Sequence, residues 1–182
     1  PETVPPGISG RTVSEAVLAG RKRYRERLER EYVSGKFDRR SLFPLMLPAM
    51  AELRHTRCVT GEFTLEPGME WTAFPDSVGL AADWRKPGFV WEIPYRTLLP
   101  KGLKGVLAAG RCSSSRGDAW EVTRVIPAAA MTGEAAGVAA ALSVAAGITP
   151  DRLDCGVLSR ELTQVCGFAL HFGDLGLTGE GR

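Results

Sequence analysis

Apolar positions fall at Val17, Tyr24, Leu28 and Tyr32, at spacings of 7, 4 and 4. This is a helical stripe, and it predicts a helix capped by Ser14 and closed at Gly35. "SLFPLMLPAMAEL" is apolar throughout, but Pro44 and Pro48 limit any helix there to short pieces. Period-two alternation around Cys58, Thr60 and Glu62 predicts a strand in "HTRCVTGEFTL". Two more short strands are predicted in "SVGLAADW" and "FVWEIPYRTLL", the second demoted to an edge or a bend by Pro94. "KGVLAA", residues 104–109, reads as a buried strand ending at Gly110, and "RCSSSRGDAWE" as the loop after it. A helix is predicted from about Pro127 to Ala146, with Pro127 suited to its first turn and Gly147 to its end. A last helix should put Val157, Leu158, Leu162 and Val165 on one side. Residues 1–12 read as a loop, and the glycine-rich stretch after Phe172 as a frayed tail.

Composition narrows the class without fixing it. The 182 residues are 44% hydrophobic and 24% charged, as in an ordinary globular protein with one core. A net charge of +2 does not argue for a nucleic-acid or acidic partner. Locally, Arg21 to Arg40 holds nine Lys/Arg against four Asp/Glu. A solvated helix face explains that excess better than a nucleic-acid patch, because no aromatic or glycine-rich reader accompanies it. Cys58, Cys112, Cys155 and Cys166 form no C-x-x-C pair, which suggests neither zinc nor a disulfide framework. No apolar run is expected to reach the roughly 18 residues of a membrane span, since the longest, Val125 to Ala146, is alanine- and glycine-rich and interrupted by Thr132 and Glu134. "PETVPPGISG" has no charged start or apolar centre. The expectation is a reduced, cytoplasmic setting, with neither membrane nor nucleic acid as partner. The absence of a leading Met suggests a piece of a longer chain.

Chemistry gathers where the predicted strand ends and the alanine-rich helix begins. Arg111 follows Gly110 and supplies a planar, permanently charged donor fork. The Pro127 end of the helix offers unpaired N–H groups and the positive end of a dipole. Ala128, Ala129, Ala130, Gly133, Ala135, Ala136 and Gly137 permit close packing. On these features, a ligand site and an ordinary alanine-rich helix packed on a strand are both open.

The wording adds to this. "WEIPYRTLLPKGLKGVLAAGRCSSS", followed by "TRVIPAAAMTGEAAGVAAAL", closely resembles the C-terminal part of the FAD-dependent oxidoreductase family. "SEAVLAGR", "LRHTRCVTGEFTL" and "FPDSVGLAADW" resemble earlier family segments in the same order, so the likeness runs from about residue 14 to residue 170. It implies a mixed α/β (α+β) fold, in which strands of a substrate domain with flanking helices precede a strand-loop-helix that closes the FAD site. Residues 1–100 would be a substrate-domain portion, 101–172 the C-terminal portion of the FAD-binding domain, and 173–182 a flexible tail.

The family's dinucleotide fingerprint, G-x-G-x-x-G after a first strand, does not occur in these 182 residues. The resemblance therefore implies a C-terminal fragment of a larger two-domain flavoprotein. The full enzyme would carry out hydride or two-electron transfer between a small-molecule substrate and flavin, and the isolated piece would hold FAD weakly or not at all. By the same resemblance Gly110, Arg111, Cys112 and Ser113 would lie near the ribityl and pyrophosphate. Arg124, Val125 and Ile126 would line the isoalloxazine, and Pro127 and Ala128 would aim N–H groups at its pyrimidine edge. Arg54, Arg57 and Arg96 are candidates to orient substrate, and His55 is a candidate acid or base. Arg96 reads equally well as a partner of Glu92. His171 reads as incidental. The run Ser113, Ser114, Ser115 departs from the family pattern at this loop. Two further classes stay open. One is a non-catalytic module that pairs with another chain, a homo-oligomer included. The other is weak nucleic-acid binding through Arg21 to Arg40.

Overall fold

The computed structural model describes residues 9–47, 49–51 and 53–179. The chain divides into two compact units, 1–57 and 58–182. Of the predicted opening loop, residues 1–8 lie outside the described residues, as does Pro48.

The first unit is built on α1, Gly10–Val33. It starts earlier than predicted because Ser9, not Ser14, is the cap. The Ser9 hydroxyl accepts the Thr12 N–H at 3.3 Å while the Thr12 hydroxyl accepts the Ser9 N–H at 3.4 Å, a reciprocal box. Ser34 caps the other end, and Gly35 follows at φ 75°, the left-handed geometry a helix exit needs. None of α1's residues is buried. Its surface carries i,i+4 pairs such as Arg11–Glu15, Lys22–Glu26 and Arg25–Glu29. The chain then turns at Asp38, whose carboxylate accepts the N–H groups of Arg40 and Ser41. Tyr32 ties the turn to the helix by donating its hydroxyl to the Leu42 carbonyl at 2.7 Å.

The second unit has a small antiparallel pair, β1 (Ser77–Ala82) and β2 (Val90–Pro94). Leu80 faces Glu92 and Ala82 faces Val90, with a bulge between Ser77 and Leu80. Gly79 sits in that bulge at φ 152°, and a Cβ there would lie 2.2 Å from the Met131 sulfur, so only glycine lets the next layer close over the bulge. β2 ends at Pro94, as its missing N–H requires, and becomes a 3-10 turn over Tyr95–Leu98. Three helices complete the unit: α2 (Gly117–Thr123), α3 (Ile126–Ala146) and α4 (Cys155–Gln164). Helices and strands together make the fold mixed α and β.

α3 buries a stripe of Ala128, Thr132, Ala135, Ala139 and Ser143, one face of a helix built from small residues so that its axis can approach the sheet. It ends at Gly147, φ 65°, as predicted. At 21 residues it is, among the described residues, the one helix long and apolar enough to cross a membrane. The expectation that no segment reaches that length is therefore corrected. α4 buries Leu158 and Leu162, whereas Val165 is 70% exposed and leaves the predicted stripe. The core is completed by Leu65, Val78, Trp91, Ile93, Tyr95, Leu98, Val122 and Leu170.

Two predicted strands do not form. Residues 58–65 bend at Glu62 and Phe63 and form no continuous ladder: Val59 donates to Cys112, Glu62 to Leu99, Phe63 to Arg96 and Leu65 to Ser114, while Thr60 accepts from Lys101 and Leu65 from Arg116, with isolated bridges Gly61–Pro100 and Leu65–Ser115. Residues 104–109 are irregular. Gly102 and Gly105 take φ 77° and 71°, left-handed geometry that breaks a ladder, and Ala108 alone of this run donates to Leu98. Conversely, the predicted loop contains α2. The start of the predicted tail is also hydrogen-bonded, as a 3-10 turn over Phe172–Leu175.

Candidate functional site

The predicted cofactor residues gather in the second unit around the first turns of α3. The loop Gly110–Cys112 is a 3-10 turn packed against that helix. Gly110 is buried at φ 69°, and the space a Cβ would fill is bounded by the Ala129 methyl at 3.2 Å. The glycine thus admits the helix. Its N–H donates to the Thr132 hydroxyl at 2.9 Å, and that hydroxyl donates on to the Ala128 carbonyl at 2.7 Å. Helix and loop are fixed in one register by this two-bond relay.

The three serines have structural partners. Ser113 donates to the Gly110 carbonyl at 2.9 Å, Ser114 shares a hydrogen bond with Thr64 at 2.8 Å, and Ser115 one with Thr123 at 2.7 Å. All three are buried, and a buried hydroxyl without a partner costs about 1–3 kcal/mol. Three small hydroxyls let the loop run through the interior with its polar groups satisfied.

Arg111 and Cys112 are exposed. The Arg111 carbonyl accepts the Trp120 indole N–H at 2.8 Å, which anchors the backbone and leaves the guanidinium in solvent. The Cys112 thiol donates to the Ala109 carbonyl at 3.3 Å. The Arg124 side chain is 13% exposed, and its Nε donates to the Glu121 carboxylate at 2.9 Å. Val125 precedes α3 without a side-chain cap. Ile126 is 85% exposed and Pro127 is also exposed, whereas Ala128 is buried. The leading end of α3 therefore opens outward while its body is seated in the core.

The proposed substrate residues are divided between the two units. Arg54, His55 and Arg57 belong to the first unit and Arg96 to the second. Arg96 does not pair with Glu92. Its Nε and Nη2 reach the Asp76 carboxylate at 2.9 and 3.1 Å, and its guanidinium lies 5.0 Å above the Phe63 ring. The Asp76 contact raises the Arg96 pKa above its ordinary value, chiefly through the hydrogen bond. Glu92, fully buried, accepts the Phe74 N–H at 2.7 Å and the Phe172 N–H at 3.2 Å, and lies 3.2 Å from His171 Nδ1. His171 therefore has a defined partner. A second charged cluster joins Asp83, Arg85, Lys86 and Asp118. Lys86 donates to Asp118 at 2.6 Å and holds that carboxyl below the usual range. The sequence carried no periodic signal for the long-range pairings, which join Arg96 to Asp76 across 20 positions, Lys86 to Asp118 across 32 and His171 to Glu92 across 79.

α3 thus buries one small-residue face, while its uncapped leading end is exposed and the adjoining fixed loop bears the exposed Arg111. The chain matches the profile of the FAD dependent oxidoreductase family over residues 9–162, and it belongs to that family. No curated protein and no solved structure matches it.

Proposed function

We propose that this chain contributes the flavin-closing wall of a two-electron oxidoreductase acting on a small molecule. The observation that carries this reading is the leading end of α3, where Val125 has no side-chain cap and Ile126 is 85% exposed. Those residues fit an electron-rich ring edge, because first-turn N–H groups and the positive helix end favour negative charge. FAD, when bound, supplies the two-electron chemistry. The chain's part is orientation and electrostatics. α3's first turn would favour the reduced, negatively charged pyrimidine edge, and Arg111 would meet phosphate or ribityl oxygens. The Thr132–Gly110 relay would keep loop and helix from parting as charge develops.

No Gly-x-Gly-x-x-Gly run occurs in the 182 residues. The ADP portion would therefore be held by a dinucleotide-binding segment outside them, and the chain by itself would retain FAD weakly. The test is to join such a segment to the chain and follow the visible flavin bands during reductive titration. Ile126→Glu places a carboxylate at the helix opening without disturbing the core. It should lower the reduction potential and loosen the reduced cofactor. An unchanged potential and affinity would remove α3 from the flavin.

Phe43, Leu45, Met46 and Met50 of the first unit are exposed, Leu45 by 94%. They favour a second reading, a non-catalytic module that pairs with another chain. A stable flavin-free dimer in sedimentation would support it.

A further inference from the structure

The first unit contains a groove of about 520 Å³ between α1 and the segment after Phe43. Its helix wall is a single face, with Leu18 and Leu28 at the ends and Arg21 and Arg25 between them. Pro44 and Leu47 form the opposite wall. Lys22 and Tyr24 complete the lining, so three cations and five apolar or aromatic side chains meet there and, among the described residues, no carboxylate lines it, although Lys22 approaches Glu26 at 3.9 Å. A neighbouring hollow of about 310 Å³ is lined by both Arg27 and Glu31 and lacks this one-sided charge.

We propose that this groove is a binding site for a single-chain anionic amphiphile, a molecule with one carboxylate or phosphate head on an unbranched apolar body. Arg21 and Arg25 stand one helical turn apart, so two guanidiniums can grip one anionic head in charge-assisted hydrogen bonds. Leu18, Leu28, Pro44 and Leu47 then offer the body an apolar trough. Leu18 is 64% and Leu47 46% exposed, and covering such side chains is favourable at about 25 cal/mol per Å² of apolar surface removed from water. Arg25 also approaches Glu29 at 3.8 Å. That pair is solvent-exposed and weak, so an incoming head competes with it at little cost. The groove's size lies within the usual range for small-molecule sites, roughly 300–1,000 Å³. The inference is independent of the flavin reading, since every lining residue belongs to the first unit.

The test uses the 182-residue chain with dodecanoate below its micelle concentration, followed by calorimetry and by methyl NMR. The expected result is saturable one-to-one binding, with shifts confined to the Leu18, Leu28 and Leu47 methyls. Dodecanol, which keeps the tail and loses the charge, should bind at least about tenfold more weakly. Arg21→Gln with Arg25→Gln should weaken dodecanoate by a similar factor and leave dodecanol unchanged. Both positions are exposed and Gln is a good helix former. Helical content by circular dichroism checks that α1 survives, and Leu47→Ser, outside α1, should weaken both ligands. Equal affinity for dodecanoate and dodecanol, an unaffected double variant, or unsaturable uptake would overturn the proposal. So would binding to anionic vesicles without binding to the monomeric amphiphile, which would make the face a lipid-surface contact instead.

Discussion

The Glu92 carboxylate and His171 Nδ1 lie 3.2 Å apart, joined across 79 positions of chain. Glu92 is completely buried in the middle of β2, while the His171 side chain is 44% exposed. The carboxylate also takes the N–H groups of Phe74 and Phe172. It is therefore the post to which two separate loops are tied, and the Trp71 ring meets Phe172 at 5.0 Å on the same side. Glu92→Gln replaces one acceptor oxygen by an NH2 group that faces donors. It should cost about 1.5–3 kcal/mol, the range for hydrogen bonds to a charged group. His171→Ala removes one partner and leaves the two backbone donors, so it should cost about 1 kcal/mol or less. Urea unfolding compares the two. A larger loss for His171→Ala than for Glu92→Gln would show that the post is the histidine.

Thr132 and Gly110 give a second test, placed where the Gly110–Cys112 turn meets α3. Thr132→Val keeps the shape and leaves the buried Gly110 N–H without its 2.9 Å acceptor. The expected loss is about 1–3 kcal/mol, with faster hydrogen exchange at the Gly110 amide. Gly110→Ala forces a side chain into left-handed geometry, about 1–2 kcal/mol, and presses on Ala129 at 3.2 Å. Both variants should loosen the loop without unfolding α4. Unchanged exchange at Gly110 in Thr132→Val would mean that the relay does not hold the loop.

Much of this architecture was readable from local signals. The extent of α3 followed from Pro127, the alanine run and Gly147, and β1 and β2 from short β-branched and aromatic runs punctuated by Pro94. What failed did so for nonlocal reasons. Residues 58–65 alternate like a strand, yet they thread between two irregular segments and bond to each without a continuous ladder. Gly102 and Gly105 turn an apolar run into a bend. The serine run looks like a solvent loop, but each buried hydroxyl finds a partner, two of them the hydroxyls of Thr64 and Thr123. Family membership was legible in the segments that resemble the family, and the match over residues 9–162 bears it out. The partner of Arg96 lies 20 positions away, in a contact that no periodicity encodes, whereas Arg124 pairs with Glu121 at the i,i+3 spacing of a helix that the sequence reading took for a loop.

The Asp76–Arg96 pair separates geometry from charge. Arg96 Nε and Nη2 reach Asp76 at 2.9 and 3.1 Å, and the Arg96 N–H reaches the same carboxylate at 3.1 Å. Asp76 is 7% exposed at its side chain and Arg96 44%. Asp76→Asn should therefore destabilise by about 1–3 kcal/mol, mostly through the buried partner. Arg96→Lys keeps the charge but loses the planar fork and the stack on Phe63, so it should recover less than half of the loss seen in Arg96→Gln. Full recovery in thermal melts would show that charge alone matters there.

The last prediction concerns pH and the turn over Phe172–Leu175. Asp174 accepts the N–H groups of His171 at 2.9 Å and Leu170 at 2.8 Å, and these bonds hold its carboxyl below the ordinary value, that to His171 most. A depressed folded-state pKa means the ionised form is favoured by folding. The stabilisation is complete above the unfolded carboxyl value, about 3.9, and is lost as pH falls through the lower folded value. The turn should thus loosen only below about pH 4, seen as downfield-to-random shifts and faster exchange of the Leu170 and His171 amides. The bond from the Ser77 hydroxyl to the Leu170 carbonyl, 2.6 Å, carries no titrating group and should persist through the same range. In Asp174→Asn the acid step at these two amides should vanish, because the side chain no longer titrates. A step of the same size in that variant would assign the transition to another carboxylate.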